Sequence, residues 1–275
     1  MDTQHLTVAT SPLAPSLHSA GPARVVAPWL APETLHPSLW RGHQLGRSAD
    51  NAVPSGFAGL DAQLPGGGWP RKALTELLLP HPGLGEIRLL ASSLASIQKA
   101  GRLVMLFDPP AALSAWALTQ WGLDAEQLLV IHTGAPVAGV VPAASARLWA
   151  LEQALKSGHV GAVLAWLPPR LPVDRVRRLQ LAAHAHDGPA FMLRDMASQH
   201  HPSAAPLRLA LRACGADQLA VNLLKRRGPP LLSPVHLVLP PVLSAPAQRK
   251  AELLLTELEK NTMRPLPAAT FINLA

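Results

Sequence analysis

The chain has one cysteine, Cys214, and no tyrosine. A single thiol excludes an intrachain disulfide and a cysteine-based metal cluster, which suits a reducing compartment. Acidic residues are scarce too, with 17 Asp and Glu against 24 Lys and Arg and a formal net charge of +7. That balance permits a polyanionic partner without establishing one, because abundant Arg, Ala and Pro also follow from a GC-rich genome. No apolar run reaches the roughly 18–20 residues that cross a bilayer. The opening "MDTQHLTVATSPLAPSLHSAG" lacks a basic start and a continuous apolar core, so no signal peptide is expected. These absences point to a soluble, cytoplasmic protein with no membrane partner.

What is present is enough apolar material for a core: 48% of 275 residues. Residues 1–34, rich in Ala, Pro, Ser and Thr, read as a flexible leader. A short helical segment over 35–52 presents Leu39 and Trp40 as candidate partner contacts. The main domain is expected over 53–240. A C-terminal helix and tail occupy 241–275, with Leu254 and Leu258 on the apolar side of the helix as further contact candidates.

Within the main domain, short apolar strands alternate with helices. Strands are predicted at 73–79, 102–108, 127–133, 161–168 and 189–194. Helices are predicted from Glu86 to Gly101 and over 109–122, 144–158 and 174–188, the last capped by Asp174; Ser55 caps a further turn. Continuous apolar strands between helices imply a parallel sheet covered on both faces. The strands 207–213, 218–227 and 235–240 leave no room for crossover helices, so they are expected to form an antiparallel C-terminal edge. Most tryptophans read as core. His184, His186, His200 and His201 read as loop or surface residues, and no metal site is expected.

The stretch "LLLPHPGLGEIRLL" (77–90) has the shape of a phosphate-binding loop without its chemistry. Pro80 and Pro82 remove N–H groups from the turn, Gly83 and Gly85 keep its flexibility, and Glu86 and Ile87 stand where Lys and Ser or Thr belong. A unit charge at ~4 Å is worth on the order of 4 kcal/mol at an effective dielectric near 20. Exchanging a cation for a carboxylate beside a triphosphate therefore costs more than a helix N-terminus returns. No nucleotide cofactor and no catalytic residue are expected.

"LWRGHQL", "VPSGFAGLDAQLPGGGWPRKALTELLLPHPGLGE", "GAVLAWLP" and "LLKRRG" resemble the bacterial ImuA family, over roughly 35–230. These are RecA-related accessory proteins of translesion synthesis, sometimes grouped with the cell-division inhibitor SulA. The resemblance implies a RecA-like α/β core and a DNA-damage-induced role. It also implies action beside ImuB, an inactive polymerase-like protein, with an error-prone polymerase; RecA and DNA are further candidate partners. Against active RecA-type enzymes, the acidic residue that activates water is missing after Asp108, where Pro109 and Pro110 follow, and Trp166 falls where a Mg²⁺-handling Asp is expected. The expected protein is thus a pseudo-ATPase. A divergent ATPase, with Lys72 or Arg88 supplying the charge, and a SulA-like division inhibitor are the alternatives.

Two cationic groups complete the candidate sites. Lys225, Arg226 and Arg227 end a strand, and Arg175, Arg177 and Arg178 open a helix whose dipole disfavours them. Either group suits DNA or an acidic partner, and either also suits a solvated surface.

Overall fold

The computed structural model describes residues 52–134 and 144–242, with part of 246–257. The leader 1–34, Leu39, Trp40 and Leu258 lie outside the described residues.

Ten strands and five α-helices follow in chain order among the described residues: β1 (Ala52–Val53), α1 (Ala58–Asp61), β2 (Trp69–Pro70), β3 (Leu74–Leu79), α2 (Glu86–Lys99), β4 (Leu103–Phe107), α3 (Ala115–Gln120), β5 (Leu128–Ile131), α4 (Ala144–Lys156), β6 (Val160–Trp166), α5 (Val173–His184), β7 (Ala190–Asp195), β8 (Leu207–Gly215), β9 (Gln218–Lys225) and β10 (Val235–Val238). β1 and β2 pair with each other, and the other eight form one sheet of order β10-β9-β8-β3-β7-β6-β4-β5. From β8 to β5 all neighbours are parallel; β8, β9 and β10 are antiparallel. The sheet is RecA-like, with the antiparallel edge where the strand spacing put it.

Side-chain alternation explains why the parallel strands read as unbroken apolar runs. Leu77 and Leu79 of β3, Val104 and Leu106 of β4, Leu164 of β6 and Leu193 of β7 pack with α1, α2 and α3. Their sequence neighbours Met105, Phe107, Val163 and Met192 pack on the opposite face with α4 and α5. Both faces exclude water, so each position must be apolar. The antiparallel strands differ. Leu219, Val221, Leu223 and Leu237 join the first core, while Asn222, Leu224, His236 and Val238 face solvent.

One charged residue interrupts the apolar pattern of β3. Glu76 is fully buried, and its Oε1 accepts from Arg194 Nη1 at 2.8 Å on β7 while its Oε2 accepts from Arg208 Nε at 2.5 Å on β8. The extra positive charge meets carbonyls: Arg194 Nη2 donates to Pro169, and Arg208 Nη2 donates to Ser198. Ser198 Oγ also donates to Pro169 at 3.1 Å. Three strands, the loop after β6 and the turn at Met196–His200 are thereby joined from inside.

Several local expectations change. The helix expected over 109–122 shrinks to α3, because Pro109 and Pro110 cannot donate and Ser114 Oγ caps at Ala117 N. Pro172, not Asp174, is the N-cap of α5. Phe57, not Ser55, precedes α1, and Ser55 Oγ instead accepts from Phe57 N. Trp69 is core, edge-on to Phe191 at 5.3 Å, but Trp116 and Trp149 are more than half exposed. His186 is not a surface histidine: it is completely buried before β7. Burial foremost, then the Arg102 guanidinium, hold its pKa at about 4, below the usual 6.5, against the opposing pull of Asp187 and the Leu155 backbone.

Two predictions follow from these buried groups. Glu76→Gln leaves two guanidinium groups sharing a neutral amide and is expected to lower unfolding free energy by about 3–5 kcal/mol in urea titration. His186 folds neutral, so its contribution is intact above the unfolded pKa of 6.5 and is lost as pH falls toward 4, where the unfolded chain takes up a proton the folded one refuses. His186→Leu is expected to flatten the pH dependence of the melting temperature in that window.

Candidate functional site

β3 ends at Leu79, and the chain crosses from sheet to helix through residues 80–85. This is the crevice position where parallel α/β sheets hold ligands, at the carboxyl end of a strand and the start of a helix. Gly83 and Gly85 take positive φ of 80° and 118°, which turns their N–H groups toward the helix start. At Gly85 a Cβ would also stand 2.7 Å from Leu239 Cδ1, so β10 and its extension press on the loop.

The N–H groups so presented are already engaged. Glu86 Oε1 accepts from Gly83 N at 2.9 Å, and Oε2 accepts from Gly85 N at 3.1 Å. Glu86 is buried, and its carboxylate sits in the first turn of α2, the favourable end of the helix dipole. Pro80 and Pro82 are exposed, His81 Nδ1 lies 3.1 Å from the Pro82 carbonyl, and Ile87 packs against the core. The loop is closed by the chain's own anion.

Neither cation considered for this loop is free to serve it. Arg88 Nη1 donates to Asp217 Oδ1 at 2.6 Å and to the Pro240 carbonyl at 3.1 Å, tying α2 to the antiparallel edge. Lys72 is exposed just before β3, at the other end of that strand; six residues of strand put it roughly 20 Å away. Asp108, in left-handed conformation with φ 52°, has both oxygens on Thr133, one accepting from its N–H and one from its hydroxyl. That acid links the ends of β4 and β5.

The cationic candidates differ in their surroundings. Lys225 Nζ donates to the Ser203 carbonyl at 3.0 Å, and Arg226 donates to the carbonyls of Gln63 and Pro229; Arg227, exposed like Lys225, is the member of that run whose side chain holds no carbonyl. Arg178 is paired with the buried Glu152 at 2.8 Å, and Arg177 lies 3.9 Å from Asp174. Arg175 lines a cleft with Arg147 and Arg170. Leu254 is half-exposed. The buried Glu76 triad and the Arg147–Arg170 pair are absent from the sequence reading; a lone acid in "LTELLL" and arginines in "FMLRD" and "PPRLP" were the available signals.

A family model described as "Cell division inhibitor SulA" matches residues 75–190. Among curated proteins, RecA of Thermus aquaticus is 35% identical over 80 residues, covering 29% of this chain and 23% of that protein. RecA of Chlorobaculum parvum is 28% identical over 180 residues, covering 58% of this chain and 51% of its own. The cell division inhibitor SulA of Yersinia pestis (strain Pestoides F) is 30% identical over 109 residues, covering 40% of this chain and 60% of that protein. The chain thus spans between about a quarter and three-fifths of the curated relatives it matches. No helix among the described residues is long and apolar enough to cross a membrane. The SulA match runs from β3 through α5 to the start of β7, so the likeness covers four of the parallel strands, β3, β4, β5 and β6, with the loop closed by Glu86, and supports a SulA- and RecA-related superfamily.

Proposed function

We propose that this chain is a RecA-like accessory protein of the ImuA kind that has given up nucleotide hydrolysis and acts by holding other proteins. The observation that carries the reading is the Glu86 carboxylate on the N–H groups of Gly83 and Gly85. A triphosphate entering here would have to displace two charge-assisted hydrogen bonds, each worth about 1.5–3 kcal/mol, and then sit beside the displaced negative charge. With Arg88 committed to Asp217, neither Arg88 nor the distant Lys72 offsets that repulsion. The proposed work is assembly of an error-prone polymerase complex after DNA damage, through an ImuB-like inactive polymerase, with RecA and DNA as secondary contacts.

A second reading rests on its own observation. The family match over 75–190 bears the description of a cell division inhibitor, so a SulA-like role, in which the partner is the tubulin-like division protein, competes directly. Both readings are binding functions on the same core.

Three measurements decide. A fluorescent ATP analogue with Mg²⁺ is expected to show no saturable binding to the full chain, and micromolar affinity would overturn the non-catalytic reading. Glu86→Ala leaves the buried Gly85 N–H unpaired and the exposed Gly83 N–H to water, and is expected to cost about 1–3 kcal/mol in chemical denaturation; an unchanged midpoint would show that the carboxylate does not close the loop. Affinity purification of the chain from DNA-damaged cells is expected to recover the ImuB-like protein. Recovery of the division protein in its place would install the second reading.

A further inference from the structure

A concave cleft of about 710 Å³ lies at the carboxyl ends of β4, β5 and β6. β7 separates this group of strands from β3, so the cleft is distinct from the loop closed by Glu86. Its apolar lining includes Leu148 of α4, Trp166 at the end of β6, and Leu171. Arg147 from α4, Arg170 from the loop after β6 and Arg175 from the first turn of α5 also line it.

Most of the buried or half-buried arginines are paired, and the unpaired Arg212, Arg227 and Arg249 are exposed residues that line no part of this cleft. Arg88, Arg102, Arg178, Arg194 and Arg208 each have a carboxylate, and Arg226 has two carbonyls. The guanidinium groups of Arg147, Arg170 and Arg175 have neither an ion pair nor a hydrogen bond among the described residues. The acid lining the cleft, Asp108, has both oxygens on Thr133 and is not available to them. Three cations that converge on one apolar hollow repel each other, and Arg175 also opposes the dipole of α5. Flexibility does not explain the placement, because the Pro169 carbonyl next to Arg170 accepts from the buried Arg194 and from Ser198.

We propose that this cleft is a docking site for an acidic peptide segment of a partner protein, with a bulky apolar side chain seated against Leu148, Trp166 and Leu171 and flanking carboxylates on Arg147, Arg170 and Arg175. Guanidinium groups match carboxylates in charge and in planar fork geometry. The volume falls within the ~300–1,000 Å³ of sites that enclose a ligand. A single-stranded nucleic acid asks for something else: an open groove with cations in a track and aromatic faces exposed for stacking. Here Trp166 is half-buried in the lining, and the cations stand around a hollow. This inference does not depend on which partner the proposed function assigns.

The test is selection of a displayed library of random short peptides on the full-length chain, followed by titration of the enriched peptide by fluorescence anisotropy. Enrichment of Asp and Glu next to Leu, Phe or Trp is expected. The Arg147→Ala/Arg170→Ala/Arg175→Ala variant is expected to bind the selected peptide at least about tenfold more weakly, and Leu171→Asp to abolish binding. If the triple variant fails to fold, the wild-type chain titrated with the Asn/Gln form of the peptide gives the same comparison. Oligo(dT) is expected not to displace the peptide. Selected sequences without acidic enrichment, affinity unchanged in the triple variant and in the neutral peptide, or displacement by oligo(dT) would each overturn the proposal.

Discussion

One carboxylate shared by two guanidinium groups holds the middle of the sheet. Glu76 is the point at which β3, β7 and β8 meet, and both arginines extend from it to carbonyls of loops at the carboxyl ends of the strands. Burying such charges is costly, and an apolar trio of the same volume would often be no less stable. What the triad adds is position. It fixes Pro169 and Ser198 relative to the sheet, and through Pro169 it fixes the stretch that carries Arg170. The geometry at the rim of the molecule is thus referred to a single buried acid.

The fold was readable to the extent that burial restricts residue choice. Strands buried on both faces give apolar runs, and β3, β4, β6 and β7 stand within a residue or so of where those runs lie. The antiparallel edge was readable from spacing alone, since no crossover helix fits between β8, β9 and β10. Misreadings came where competing local bonds decide. Pro109 and Pro110 shorten α3, Pro172 takes the cap expected of Asp174, and His186 is sealed in the interior by tertiary packing that no local pattern announces.

The candidate site was readable in shape and only partly in wiring. Glu86 in place of a cation is visible in the sequence, but its grip on Gly83 and Gly85 depends on two left-handed glycines and the pressure of Leu239. Lys225–Arg227 looks like one cationic patch in the sequence; in space two of its members are bound to backbone carbonyls of the chain itself. The cleft shows the reverse. Arg147, Arg170 and Arg175 are scattered in the sequence and converge only because α4, the loop after β6 and α5 meet above the same strand ends.

The unequal covering of the sheet has a consequence for how this chain can drift over evolutionary time. Positions walled in from both sides accept a small alphabet of side chains, whereas the outward half of β9 and β10 accepts almost any. Likeness to distant kin should therefore fade first along the antiparallel margin and persist longest in the strands covered on both faces.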